Sequence, residues 1–527
     1  MHRLFHICLS LVALILCVCT ACTDIDGDFT TSPTARLTME MDTVPFDTVF
    51  TGITSSTRRV KVYNHNDKDL RITQVSLSQG EDSPFRVNVD GQSVGSGIGN
   101  LEIMAHDSLF MFCEVTPKDN QSELPTVVRD SIVFLLESGV EQYMVLEAWG
   151  QDVVILRAPR IETDETWADP RPYVIYDSLV VEEGVTFMIE QGVTLCFHDK
   201  AFMTVRGQLL IEGEEDNPVT LRGDRTDRIF SYLPYDRMDA QWGGITLTSR
   251  SKDNYIAYTN LRAATWGIDL QPQDEDVMTD NPQLTLVHSS IHNVRNDGLR
   301  ARYTSLYVAN SEISNAGGNC VSLLGGSALF VHTTLAQFYP WSGQQGKALY
   351  FTNIIKASSE EEGDTILPLH QAEFQNCLIT GKTTDEIQGT SVEDREDIDF
   401  KVNFLNCLVN IDLGDANDEK TASARSLFTN CVNETEAFHQ KERPEQSQLD
   451  SLVWGKKNFL TIDNENYCYD FQLDSLSNAR GIGATEPAKL FPYDRYTRPR
   501  PEKNPDAGCY QYFLQEKEEN KESNKRK

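Results

Sequence analysis

Basic side chains are scarce in this chain: 527 residues carry 47 Lys and Arg against 79 Asp and Glu, a formal charge of −32. Nucleic-acid binding needs a basic footprint, so that class is excluded, and the same field would repel an unaided polyanion such as pectate. Long apolar runs are equally rare. Only Ile7 to Val18 forms one, and it falls short of the roughly 18–20 residues a spanning helix requires. With Arg3 ahead of it, residues 1–21 read as a cleaved secretory signal. Beyond Cys22 there are eight cysteines: Cys113, Cys196, Cys320, Cys377, Cys407, Cys431, Cys468 and Cys509. They form no CxxC and no Cys/His pattern, so no metal site is predicted.

The signal ends Cys19-Thr20-Ala21-Cys22, which resembles a bacterial lipobox with Cys22 as the lipidation site, although Cys19 stands where leucine is usual. An acyl anchor on Cys22 would hold the chain to a membrane. Asp24, Asp26 and Asp28 follow. They lack the closing glutamate of a calcium loop, so no cofactor is indicated, calcium included. Residues 22–35 read instead as an acidic tether, resembling the surface-export signal of Bacteroidetes lipoproteins. That resemblance implies an outer-membrane location facing the cell exterior.

Residues 36–152 alternate short β-rich runs with turn clusters, among them Arg59-Val-Lys-Val-Tyr63, Phe85-Arg-Val-Asn-Val89 and Asp130-Ser-Ile-Val-Phe-Leu135. Period-two alternation with strands every ~8–15 residues predicts an antiparallel β-sandwich. Together with Phe46-Asp-Thr-Val-Phe50, these runs resemble an Ig-like module, whose default role is spacing or docking.

What the second half does contain is a repeat. Phe374-Gln-Asn-Cys-Leu378, Phe404-Leu-Asn-Cys-Leu408 and Phe428-Thr-Asn-Cys-Val432 begin 30 and 24 residues apart, a period that marks a stacked-coil solenoid. Residues 153–512 are therefore assigned to one. Leu179 to Phe197, Ala201 to Leu209 and Trp242-Gly-Gly-Ile-Thr-Leu247 resemble the first coils of right-handed parallel β-helix proteins of the pectate-lyase-like kind. Asp506-Ala-Gly-Cys-Tyr-Gln-Tyr512 resembles their end-cap. The chain is expected to be all-β, a sandwich followed by a β-helix, with residues 513–527 a charged solvated tail.

Alignment of coils places Asn310, Asn353, Asn376, Asn406 and Asn430 near one corner. There asparagine tolerates a left-handed backbone and is expected to donate its amide to the next coil as a ladder, with Cys377, Cys407 and Cys431 stacked inward beside it. A second sheet aligns Ile268, Leu299 and Val321 inward, and Asp269, Arg300 and Ser322 outward.

Chemistry has few candidates. Arg300 and Arg302, two residues apart with Asp269 a coil below, are the catalytic candidates for a lyase; the simpler reading is a surface ion pair. Tyr339, Trp341 and Trp266 are ligand-binding candidates, as rings able to stack on sugars; the simpler reading buries them. The leading expectation is a non-enzymatic surface module that binds a glycan or a partner outer-membrane protein. The alternatives are a polysaccharide lyase or glycoside hydrolase, and an accessory subunit of an outer-membrane transport or assembly complex.

Overall fold

The computed structural model describes residues 28–95, 97–230, 232–356, 363–392, 395, 397–414, 419–439 and 454–513; Cys22 and the 514–527 stretch lie outside them. The chain divides into two compact units, Met1–Asp152 and Val153–Lys527.

In the first unit two five-stranded sheets enclose one core. Alternation sets the faces: Val60 and Val62 point in while Arg59 and Lys61 point out. Phe46, Ile72, Phe85, Met111, Phe134 and Met144 fill the space between the sheets. One pairing departs from the antiparallel expectation, since Thr43–Phe50 runs parallel to Glu141–Gln151. Hydrophobic alternation carries no information on strand direction. These two strands are joined by nearly the whole unit, so the connection is long enough for either sense.

The second unit is a parallel β-helix solenoid. Three parallel sheets of eleven, nine and ten strands run through it, and successive strands in the chain visit the three sheets in turn. Neighbouring coils stack in register at the ~4.8 Å strand spacing, so one interior residue type propagates into a column. In the nine-strand sheet Ile245, Ile268, Leu299, Val321, Leu349 and Ile387 align. In the ten-strand sheet Phe330, Phe374, Phe404 and Phe428 align. Their rings stack at centroid separations of 4.9, 4.8 and 4.5 Å. Where an early coil bends, Gly244 adopts φ +105, and a Cβ there would lie 1.8 Å from the carbonyl oxygen of Trp266. Only glycine fits.

One corner is left-handed in seven consecutive coils: Tyr258, His288, Asn310, His332, Asn376, Asn406 and Asn430 have φ between 44 and 53°. Asn353 does not belong to this column. It follows Leu349–Thr352 in the nine-strand sheet, outside the left-handed set, because the coil corner occupied by His332 precedes it. Of the asparagine amides only that of Asn376 reaches a neighbouring corner among the described residues, His332 Nε2 at 3.0 Å, so the ladder between coils is mostly not theirs. It is made by the next residue, which reads Thr259, Ser289, Ser311, Thr333, Cys377, Cys407 and Cys431 down the column. The backbone N–H of Thr259 donates to Ser289 Oγ at 3.0 Å and that of Ser289 to Ser311 Oγ at 3.1 Å. Those of Cys377 and Cys407 donate to the Sγ of Cys407 and Cys431, both at 3.3 Å. These short side chains satisfy N–H groups that the corner removes from the sheet ladders. All eight described cysteines are free thiols.

The asparagine amides bind the C-terminal segment instead. Asn310 Nδ2 donates to the Tyr493 carbonyl, Asn376 Nδ2 to that of Ala484 and Asn406 Nδ2 to that of Ile482. That segment was expected to cap the solenoid's end; residues 459–512 run back along its side. Phe459, Phe471, Leu473 and Tyr510 pack on the outward residues Ala336, Leu378 and Leu408, and Arg495 reaches Asn260, several coils earlier.

Phe404 sits between two stacked rings and is fully buried. Phe404→Ala should cost about 3–5 kcal/mol, as for other buried phenylalanines. Urea unfolding of the variant checks this, and a loss below about 1 kcal/mol would contradict the packing described.

Candidate functional site

The catalytic candidates come together as the register requires, on the outer face of the nine-strand sheet. Asp269 pairs in register with Arg300 and is only 7 % exposed. Its Oδ1 accepts from Arg300 Nε at 2.7 Å and its Oδ2 from Arg302 Nη2 at 2.8 Å. The Arg300 guanidinium lies 4.0 Å over the Trp266 ring. Both carboxylate oxygens are thus engaged, and the one arginine that stacks is paired as well. A base must offer a free lone pair within reach of a substrate proton; this cluster offers a clamp between coils.

The aromatic candidates are also occupied. Tyr339 is buried and donates its hydroxyl to Asp239, which also accepts from Arg295 Nη2 at 3.0 Å. Burial and the Asp239 hydrogen bond raise the Tyr339 phenol well above its usual range. Trp341 stacks face to face on Tyr467 of the C-terminal hairpin, with centroids 4.1 Å apart. Trp266 is covered by Arg300. Tyr339 is buried, and Trp341 and Trp266 are half-buried, each with one ring face covered by a neighbouring residue.

A cleft of about 440 Å³ opens elsewhere, between the outer face of the eleven-strand sheet and the returning C-terminal segment. Its floor comes from three neighbouring strands, where Asn260, Ser290 and Glu312 share one outward column and Arg262, His292 and Ser314 the next. Tyr469, Asp470, Gln472, Arg495, Tyr496 and Tyr510 form the opposite wall.

One hydrogen-bond chain ties floor to wall. Arg495 Nη2 donates to Asn260 Oδ1 at 2.8 Å, and its Nη1 donates to the Tyr510 hydroxyl at 2.9 Å. Tyr510 donates to Glu312 Oε2 at 2.6 Å, and Ser314 donates to Glu312 Oε1 at 2.7 Å. Ser314 has a single proton, which goes to Glu312, so the 2.8 Å contact with His292 must run from the imidazole Nδ1–H. Burial, then the charge of Arg262, hold His292 down to about 3. Burial also dominates at His288, with Arg495 and Arg500 adding to it, and holds it at about 4. Burial raises the Tyr510 phenol well above its usual range. Both imidazoles are neutral at pH 7.

Glu312 has a hydrogen bond on each oxygen, and Tyr510 keeps its proton. Among the described residues no group of three His, Cys, Asp or Glu side chains could hold a metal ion. The rim combines half-exposed rings, Tyr469 and Tyr496, with polar groups at different angles. The site as a whole is not legible in the sequence because half of it comes from residues 469–512, whose resemblance is to an end-cap. The polar outward column Asn260, Ser290 and Glu312 was its one legible signal.

No family model matches the chain, and no curated protein does. Solved structures with some likeness include the PapD-like domain 7 of human CEP192 (13 % identity, 23 % of this chain and 90 % of that one, TM-score 0.16). The YadV chaperone matches at 10 % identity over 22 % of this chain and 51 % of that one, with TM-score 0.16. The Agl-KA catalytic domain matches at 10 % identity over 67 % of this chain and 79 % of that one, with TM-score 0.18. Likenesses this low carry no argument about function.

The two histidines make stability pH-dependent. Their unfolded pKa is about 6.5 and their folded values are lower, so the unfolded chain binds more protons between them. The stabilisation is complete above about pH 6.5 and drains away as pH falls toward 4. In urea titrations at neutral and acidic pH, the double variant His288→Gln, His292→Gln should lose part of that slope. An unchanged slope would show that neither imidazole is held neutral.

Proposed function

We propose that this protein is a lipid-anchored surface module, tethered through Cys22 to an outer membrane, that binds a saccharide without transforming it. The cleft carries this reading. Tyr469, backed by Phe471, and Tyr496, flanked by Arg495 and Arg498, keep part of each ring exposed at the rim for the C–H side of a sugar, and Asn260, Asp470, Gln472 and Arg262 supply donors and acceptors for its hydroxyls. The three carboxylates of the cleft are all engaged, Glu312 by Ser314 and Tyr510, Asp470 by Gln472 and Glu215 by Thr497. This supports binding over hydrolysis, a reaction that needs one carboxyl acid and one carboxylate flanking the bond. The lipobox-like Cys19-Thr-Ala-Cys22 and the acidic residues after it support the anchor and its outward orientation.

A partner protein is the second reading, supported by the sandwich. Phe110 and Phe112 are exposed side by side on its outer face, with Lys61 Nζ 4.7 Å and the Arg59 guanidinium 5.3 Å from the Phe110 ring centroid.

Glycan-array binding followed by calorimetry tests the saccharide reading. Tyr469→Ala and Tyr496→Ala should each weaken binding about tenfold, the scale of one aromatic contact, while Trp266→Ala leaves it unchanged. Absence of any array ligand, or cleavage of a bound one, would count against it. For the anchor, Cys22→Ser should move the protein from the membrane to the soluble fraction. Retention on the membrane would rule the anchor out.

A further inference from the structure

We propose that the saccharide bound in the cleft carries an apolar group, an alkyl, acyl or aryl aglycone, that lies in a second cleft adjoining the first. The proposal rests on the saccharide reading above and specifies the ligand further. The second cleft, of about 390 Å³, lies between Tyr258 and His288 of the left-handed corner and Leu490, Phe491, Pro492 and Tyr493 of the returning segment. The two clefts adjoin: Tyr258 and His288 line both. These two rings stack at 4.5 Å and 10°, and Phe491 meets His288 edge-on at 6.5 Å. Thr497 on the second cleft donates a hydrogen bond to Glu215 on the first.

Their chemistry differs. The first cleft holds Glu215, Arg262, Glu312, Asp470 and Arg495. No Asp, Glu, Lys or Arg lines the second, and His288 is neutral there at pH 7 because burial keeps its pKa near 4. A second sugar ring placed there would find few fixed polar partners beside Leu490, Phe491 and Pro492 and would gain little over water. An apolar group would instead cover Leu490 and Tyr493, which are 71 % and 54 % exposed, and would gain from every CH₂ it buries. The geometry therefore favours an amphiphilic glycoside, with its sugar among the charges and its tail along the aromatic corner.

The test uses the intact chain with methyl and octyl β-D-glucosides, galactosides and mannosides, titrated calorimetrically below their micelle-forming concentrations. For a sugar that binds, the octyl form should bind at least about tenfold tighter than the methyl form, a difference of about 1.4 kcal/mol. Leu490 is exposed, so Leu490→Asp should fold normally, abolish that gain and leave methyl glycoside binding intact. Equal affinity of the two forms, a gain that survives Leu490→Asp, or octanol binding as tightly as the octyl glycoside overturns the assignment while the saccharide reading stands. A chain that binds array glycans but no octyl glycoside overturns it equally. Failure on both the array and all six glycosides ends both readings.

Discussion

Coil-on-coil register is the constraint on which the solenoid depends. Each turn hydrogen-bonds to the next through parallel strands, so every turn must bend at the same places. The left-handed corner from Tyr258 to Asn430 shows what this demands. Asparagine and histidine enter that backbone more readily than most residues, whereas tyrosine does so at some cost. The column nonetheless opens with Tyr258 and His288. Their rings stack on one another and line the cleft wall, while His332, further along the same column, is buried.

The returning C-terminal segment answers a second constraint. Outward residues of a β-helix sheet normally face water, yet Ala336, Leu378 and Leu408 are apolar and buried. The segment covers them, and further along it passes over the polar column Asn260, Ser290 and Glu312. There it cannot pack as tightly, because Arg495 and Tyr510 must meet buried polar partners. The cleft exists because the same strand of chain crosses an apolar surface and then a polar one. Arg495 and Arg500 are both buried, and each meets neutral oxygens, Asn260 and Asn310, in place of a carboxylate. Glu312 reaches Arg495 only through Tyr510, so desolvation of the guanidinium is offset by hydrogen bonds along a network.

Charge helps to decide what such a surface can hold. With a formal charge of −32, the chain has few cations to spare, and many of them are engaged: Arg300 and Arg302 on Asp269, Arg295 on Asp239, Arg262 on Asp236. A ligand of this protein therefore gains more from rings, hydroxyl partners and apolar cover than from net electrostatic attraction. That is the character of both adjoining clefts.

Much of the fold was legible in the chain. Period-two alternation and the spaced Asn-Cys phrases specify strands that stack, because neighbours in register tend to share residue type. The columns Ile268, Leu299, Val321 and Asp269, Arg300, Ser322 follow from the same rule. Strand direction in the sandwich did not, since alternation is the same in either sense. Nor did the path of residues 459–512, since contacts such as Arg495 with Asn260 span 235 positions and leave no periodic trace. The partners of a side chain were equally invisible: burial of Trp266, Tyr339 and Trp341 was the simpler reading, but not that Arg300, Asp239 and Tyr467 would be what they meet. Repetition wrote the architecture into the sequence, whereas the candidate site is formed by one non-repeating segment laid across repeating ones, a juxtaposition that only the tertiary structure decides.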